Sequence, residues 1–157
     1  MGKKIGRNPT DRGKSGVKRS VLTDGAGIPL GVVAAPANKL DFQLVRETLE
    51  SVPIERPAAS EESPQGMCMD KGYDYSEVEA LLKEFGYTAH IRARGEERKL
   101  LKESGQRARR WVVERTHSWM NRFRRILTRW EKKLVNYLGL LHFVCSLIVY
   151  RAARRPA

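Results

Sequence analysis

The chain has 157 residues, with 30 Lys and Arg against 18 acids and a formal net charge of +12. That length supports one core and little room for a second domain. The charge costs self-repulsion and points to an anionic partner, nucleic acid being the commonest; ribosomal and membrane-surface proteins share the bias, so charge alone does not choose among them.

Residues 1–19 are basic and Gly-rich and lack the apolar run of a signal peptide. Residues 6–16, GRNPTDRGKSG, have the Gly, Pro, Asn and Asp density of an irregular loop. From Val17 the pattern predicts β structure: Val21 and Leu22 run into Asp24-Gly25, a hairpin signal, and residues 28–33 supply the returning strand. Asp41 is placed to cap a helix with Leu44, Val45, Leu49 and Val52 at helical spacing, stopped by Pro53. Residues 53–66, rich in Pro, Glu and Ser, read as an exposed connector.

Met67-Cys68-Met69 predicts a short strand ending at Asp70. Ser76 and Glu79 predict a capping box for a helix carrying Val78, Leu81, Leu82 and Phe85, closed by Gly86, with a further strand at 87–91. Strands alternating with helices give an α/β order. Residues 92–110 are nearly all charged or small. A helix over about 107–130 follows, with Val112, Val113, Thr116, Trp119, Met120, Phe123, Ile126, Leu127 and Trp130 as one continuous apolar face. Its opposite face holds Arg107, Arg110, Glu114, Ser118, Asn121, Arg125 and Arg129.

Residues 134–150 are almost wholly apolar. This run only reaches the lower limit for a membrane span, and Asn136, Gly139, His142 and Ser146 interrupt it, so a buried core helix is expected and a membrane partner is not. Cys68 and Cys145 lie far apart in apolar runs without a CxxC partner, and His142 with Cys145 lacks a second ligand pair for zinc. Both thiols are read as reduced core residues of a cytosolic protein.

Glu114 is the only acid between Ser104 and Trp130, among Arg107, Arg110, Arg115 and Arg122. A helix that lies on phosphate gains nothing from a carboxylate unless the carboxylate holds a divalent cation, and Mg²⁺ takes one or two carboxylates plus phosphate oxygens and water. The plain alternative is an Arg110–Glu114 pair at i, i+4, worth a few tenths of a kcal/mol. Asp70 stands at the carboxyl end of an apolar strand, where α/β sheets place ligand sites, although an Asp in such a turn often only satisfies backbone donors. Two carboxylates from distant segments can flank a two-metal site for phosphodiester chemistry.

DKGYD at 70–74 and RRWVVERTHSWMNRFRR at 109–125 resemble the two best-marked blocks of bacterial insertion-sequence DDE transposases, in the insertion-sequence-five group. NPTDRGKSGVKR at 8–19, LTDGAGIPLGVV at 22–33, the AN..D pattern at 37–41 and YLGLLHFVCSLIVYR at 137–151 resemble that group too, so the similarity covers nearly the whole chain in order.

The resemblance implies an α/β fold with a ribonuclease-H-like mixed sheet flanked by helices, occupying residues 1–157 as one partial catalytic domain. It implies a DDE triad with two Mg²⁺ or Mn²⁺ ions, DNA strand hydrolysis, and strand transfer by a 3′-hydroxyl. Asp70 matches the second acid and Glu114 the third, both as catalytic residues and metal ligands. Arg110 matches the arginine of the Y-(2)-R-(3)-E-(6)-K signature, while Arg107 replaces its tyrosine and Asn121 its lysine. Arg107, Arg110, Arg115, Asn121, Arg122 and Arg125 are the candidate DNA contacts.

The family's first Asp lies on a strand upstream of the NPTDRGK loop. Asp11 falls in the loop and Asp24 in the hairpin turn, so the first strand and the first carboxylate are expected to be missing. Three readings follow: a half-protein completed by an upstream-frame segment, a truncated remnant that only binds double-stranded DNA, and a basic nucleic-acid or membrane-surface protein with Asp70 and Glu114 structural. The expected location is the cytoplasm, at the nucleoid, with a homodimer as a further partnership.

Overall fold

The computed structural model describes residues 5–9, 11–91 and 111–154. They fall into two compact units: residues up to Pro53 together with those from Val112 onward, and Ile54–Trp111.

The first unit is built on an antiparallel sheet in the order β1 (Gly6–Arg7), β2 (Ser15–Thr23), β3 (Pro29–Pro36). The loop expected over residues 6–16 is therefore partly paired, because Gly6 and Arg7 lie opposite Gly16 and Ser15. β2 and β3 pair from Val17↔Pro36 to Leu22↔Gly31, and the register shifts between Leu22 and Thr23. Successive strand residues face opposite sides. Val17 and Val21 of β2 and Val32 and Ala34 of β3 pack into one core.

On the other face, a single 3₁₀ turn (Asp41–Leu44) leads into α1 (Val45–Glu50). The Thr48 hydroxyl lies 2.8 Å from Ser20 Oγ. α1 approaches the sheet at Gly31, where a Cβ would stand 2.6 Å from Ser51 Oγ and 2.9 Å from the Thr48 carbonyl. The expected Asp41 cap does not form. The helix entry makes no side-chain capping bond, and the Asp41 carboxylate pairs instead with Lys18 at 3.1 Å.

The helix expected over 107–130 is divided. Residues 107–110 lie outside the described residues; α3 spans Trp111–Asn121 and α4 spans Arg124–Leu127. Phe123 is extended (φ −90°, ψ 103°), and its carbonyl accepts the N–H groups of Ile126 and Leu127 to start α4. That kink drives Ile126 into the core and turns Leu127 and Trp130 to solvent, so the apolar face is not continuous to Trp130.

α5 (Leu134–Ala153) is long and apolar enough to cross a membrane by length and composition. In the folded chain one of its stripes, Tyr137, Leu141, Val144, Cys145 and Ile148, is buried with Val32, Ala34, Met120 and Ile126. Val135, Phe143, Val149 and Tyr150 on its other side are exposed.

The second unit is a strand–helix–strand motif: β4 (Gly66–Met69), a 3₁₀ turn (Lys71–Tyr73), α2 (Ser76–Glu84) and β5 (Thr88–Ile91). β4 and β5 are parallel, from Gly66↔Thr88 to Met69↔Ile91. The capping box predicted at Ser76 and Glu79 does not form: Tyr75 is the N-cap without a side-chain capping bond, its carbonyl accepts from Val78 and Glu79, and Ser76 Oγ donates to Glu77 Oε2 at 3.4 Å. Gly86 (φ +75°) ends α2 in a Schellman arrangement, with Tyr87 N–H donating to the Leu82 carbonyl and Gly86 N–H to Lys83. The connector is pinned by Arg56, which bonds Gln65 Oε1 and the Phe85 carbonyl at 2.7 Å each and lies over the Tyr87 ring. Cys68 is exposed, against the expectation of a core thiol, because strand alternation turns Met67 and Met69 toward the half-buried side.

Candidate active site

Glu114 lies in the first turn of α3 and is exposed, on the side away from buried Val112, Thr116 and Met120. Among the described residues no ion pair or hydrogen bond engages its carboxylate. The alternative Arg110 partner lies outside the described residues, as does Arg107. What holds Glu114 in place is the pair that follows it. Thr116, fully buried, donates its hydroxyl to the Gly27 carbonyl at 2.6 Å, and Arg115 Nη2 donates to the neighbouring Ala26 carbonyl. The Arg115 guanidinium also sits 5.1 Å from the centre of the Trp119 ring.

Both acceptors lie in the β2–β3 turn, which is pre-shaped to offer them. Asp24 Oδ1 accepts from Ala26 N–H at 2.9 Å and Ile28 N–H at 2.8 Å, and Gly27 takes φ +82°. The left-handed residue of the hairpin signalled by Asp24-Gly25 is thus Gly27. A Cβ at Gly27 would meet Thr116 Oγ1 at 3.1 Å and Arg115 Nη2 at 3.2 Å. The ERT triplet therefore combines an outward carboxylate with two inward anchors.

Asp70 stands exposed at the carboxyl end of β4, immediately before the 3₁₀ turn, to which its side chain gives no capping bond. The open C-terminal end of parallel strands is where such sheets present ligand-binding groups. Asp70 belongs to one compact unit and Glu114 to the other. Among the described residues no group of three or more His, Cys, Asp or Glu gathers as a ready cation site. Asp70 and Glu114 are nonetheless exposed hard oxygen donors, the ligand type Mg²⁺ prefers.

Of the other candidate DNA contacts, Arg122 is exposed, while Arg125 pairs with Glu131 at 2.6 Å and keeps most of its side chain in solvent. Asn121 Oδ1 accepts from Arg19 Nη2 at 2.7 Å. Like Arg115, it makes an internal bond.

Sequence reading missed Arg19 and Glu131. Arg19 is in phase with Val17 and Val21, and so on the core-facing side of β2; that phase was the available signal. Its charge acts on its surroundings: His117 is held below its usual pKa, first by burial and then by Arg19. Burial pushes the Cys145 thiol up to about 11, against a smaller opposing pull from Arg19. Glu131, a buried acid beside two lysines, carried no signal in the sequence.

The chain matches the family described as transposase DDE domain over residues 2–148. It is 33% identical over 154 residues to a Burkholderia cepacia protein named as a transposase for insertion sequence element IS402, covering 97% of this chain and 71% of that relative. No solved structure matches significantly.

Proposed function

The chain belongs to the transposase DDE domain family and acts as a DNA transposase, and from that membership we propose that Asp70 and Glu114 are the second and third of its three metal-holding carboxylates. The observation that carries this is the clamp beside Glu114: Arg115 and Thr116 fasten α3 to the β2–β3 turn while the carboxylate itself stays outside the fold. A helix fixed so firmly beside an exposed acid suits a group that must be held accurately for chemistry.

We place the chain in the insertion-sequence-five group, as the C-terminal portion of a ribonuclease-H-like catalytic domain working by cut-and-paste transposition. Asp70 and Glu114 would hold two Mg²⁺ or Mn²⁺ ions, which polarise the scissile phosphodiester and favour the attacking oxygen when bound. Exposed Arg122 and Arg125 would lie toward the phosphate backbone of double-stranded DNA, with Arg107 and Arg110 as further contacts. The setting is the cytoplasm, at the nucleoid, with a second copy of the transposase as partner.

The first carboxylate is assigned to residues outside this chain. Two observations support that assignment. Asp24 is occupied with the N–H groups of its own turn, and Asp11 pairs with Lys14 at 3.3 Å in the β1–β2 loop. The same observations favour, as a second reading, a chain that alone binds DNA without cutting it. An assay for Mg²⁺-dependent nicking of element-end DNA, run on the chain and on a fusion carrying an upstream segment with the missing Asp, tests both. Nicking by the fusion alone is expected; nicking by the bare chain would overturn the assignment of the first carboxylate.

A further inference from the structure

Trp130 is the most exposed large apolar residue described, at 73%. Leaving an indole in water forgoes one of the largest burial gains available to a side chain. Its exposure is built in. Arg129 Nε donates to the Glu131 carbonyl at 2.9 Å and Arg129 Nη2 to the Lys132 carbonyl at 3.3 Å, with the guanidinium over the Tyr137 ring. The segment between α4 and α5 therefore curls around Arg129, and Trp130 is thrown outward at the bend. Glu131 is drawn inward, its side chain 5% exposed and paired with Arg125 at 2.6 Å.

Trp130 opens onto a cavity of about 970 Å³ whose walls include Lys14, Lys132 and Lys133. The two carboxylates on those walls, Asp11 and Glu131, are already paired, with Lys14 and Arg125 respectively. Trp130 and the lysine ammonium groups thus line one cavity, together with the Tyr137 ring. A duplex presents phosphates but keeps its base faces stacked inside. An unpaired nucleotide presents both, and aromatic platforms within basic grooves are the general means of holding one.

We propose that this cavity binds an unpaired nucleotide of a DNA strand, the base stacking on Trp130 and the adjacent phosphates meeting Lys132 and Lys133. The site is separate from Asp70 and Glu114 in sequence, and the inference rests on the reading of the chain as a DNA-processing protein. It adds a subsite that selects a strand already opened.

The test compares a blunt duplex oligonucleotide with the same duplex ending in an unpaired strand, by fluorescence anisotropy at fixed salt. The parent chain is expected to prefer the open-ended substrate. Trp130→Ala should weaken that binding by about 5- to 150-fold, as loss of one base–aromatic stack does, and leave blunt-duplex affinity unchanged. Trp130→Phe should retain most of the preference, and Lys132→Ala with Lys133→Ala should weaken both substrates. Equal loss on both substrates in Trp130→Ala, or an intact preference, overturns the inference. So does a change in melting temperature or sedimentation in that variant, which would mean that protein covers the indole. A parent that binds blunt duplex without preferring the open end sinks this subsite alone, whereas a parent that binds neither substrate sinks the DNA reading with it.

Discussion

The Thr116 hydroxyl donates to the Gly27 carbonyl at 2.6 Å with Thr116 fully buried, joining α3 to the β2–β3 turn two residues after Glu114. Thr116→Val keeps the shape and deletes the donor, leaving a carbonyl without its partner. Such a loss costs about 1–3 kcal/mol. Denaturant unfolding should register that loss for Thr116→Val and largely recover it for Thr116→Ser. An unchanged midpoint for Thr116→Val would show that the clamp contributes nothing.

The orientation of α5 gives a second prediction. Leu141 is fully buried, whereas Phe143, two residues on, is 60% exposed. Leu141→Ala should cost about 2–5 kcal/mol from lost burial and the cavity it leaves. Phe143→Ala should stay within about 0.5 kcal/mol. Equal sensitivity at the two positions would contradict a helix with one face in the core.

Thiol reactivity separates the cysteines. Cys145 is buried with its thiol pushed up to about 11, and thiolate is the reactive form. Exposed Cys68 should react with a disulfide reagent in the native protein, and Cys145 only after denaturant is added. Two rapid equivalents in the native state would mean that the α5 core is open.

His117 makes stability depend on pH. Its folded pKa lies below the usual 6.5, so between the two values the unfolded chain holds more protons than the folded one. Stability should therefore fall as the pH drops from about 6.5 toward the depressed folded value, and be insensitive to this group above 6.5. Thermal melts across that window should show the slope, and His117→Gln should reduce it. A slope unchanged by that substitution would assign it to other groups.

Much of the fold was legible because its signals are local. A β-type run into the Asp24-Gly25 hairpin signal gives β2 and β3, the apolar triplet before Asp70 gives β4, Gly86 closes α2, helical spacing gives α1, and the nearly unbroken apolar run gives α5. The misreadings came where a side chain had two possible partners. Asp41 could cap a helix or pair with Lys18, and only the fold brings Lys18 within reach. The break at Arg122–Phe123 carries neither Pro nor Gly, so it left no local signal, although it decides that Ile126 is buried and Trp130 exposed. Asp70 and Glu114 are proposed from the residues around them rather than from spacing. The structure adds a reason for two of those residues, since Arg115 and Thr116 are anchors.

The assignment of Asp70 and Glu114 as metal-holding carboxylates is tested most directly by Mg²⁺-dependent nicking of element-end DNA. The protein to use is the chain fused to a segment supplying the first Asp, with duplex binding measured in parallel. Asp70→Asn and Glu114→Gln should each abolish nicking at every Mg²⁺ concentration while leaving duplex affinity largely intact, because each removes a ligand charge and spares the arginines. Glu114→Gln that nicks as fast as the parent would contradict the account and leave Glu114 as an exposed surface acid on a DNA-facing helix.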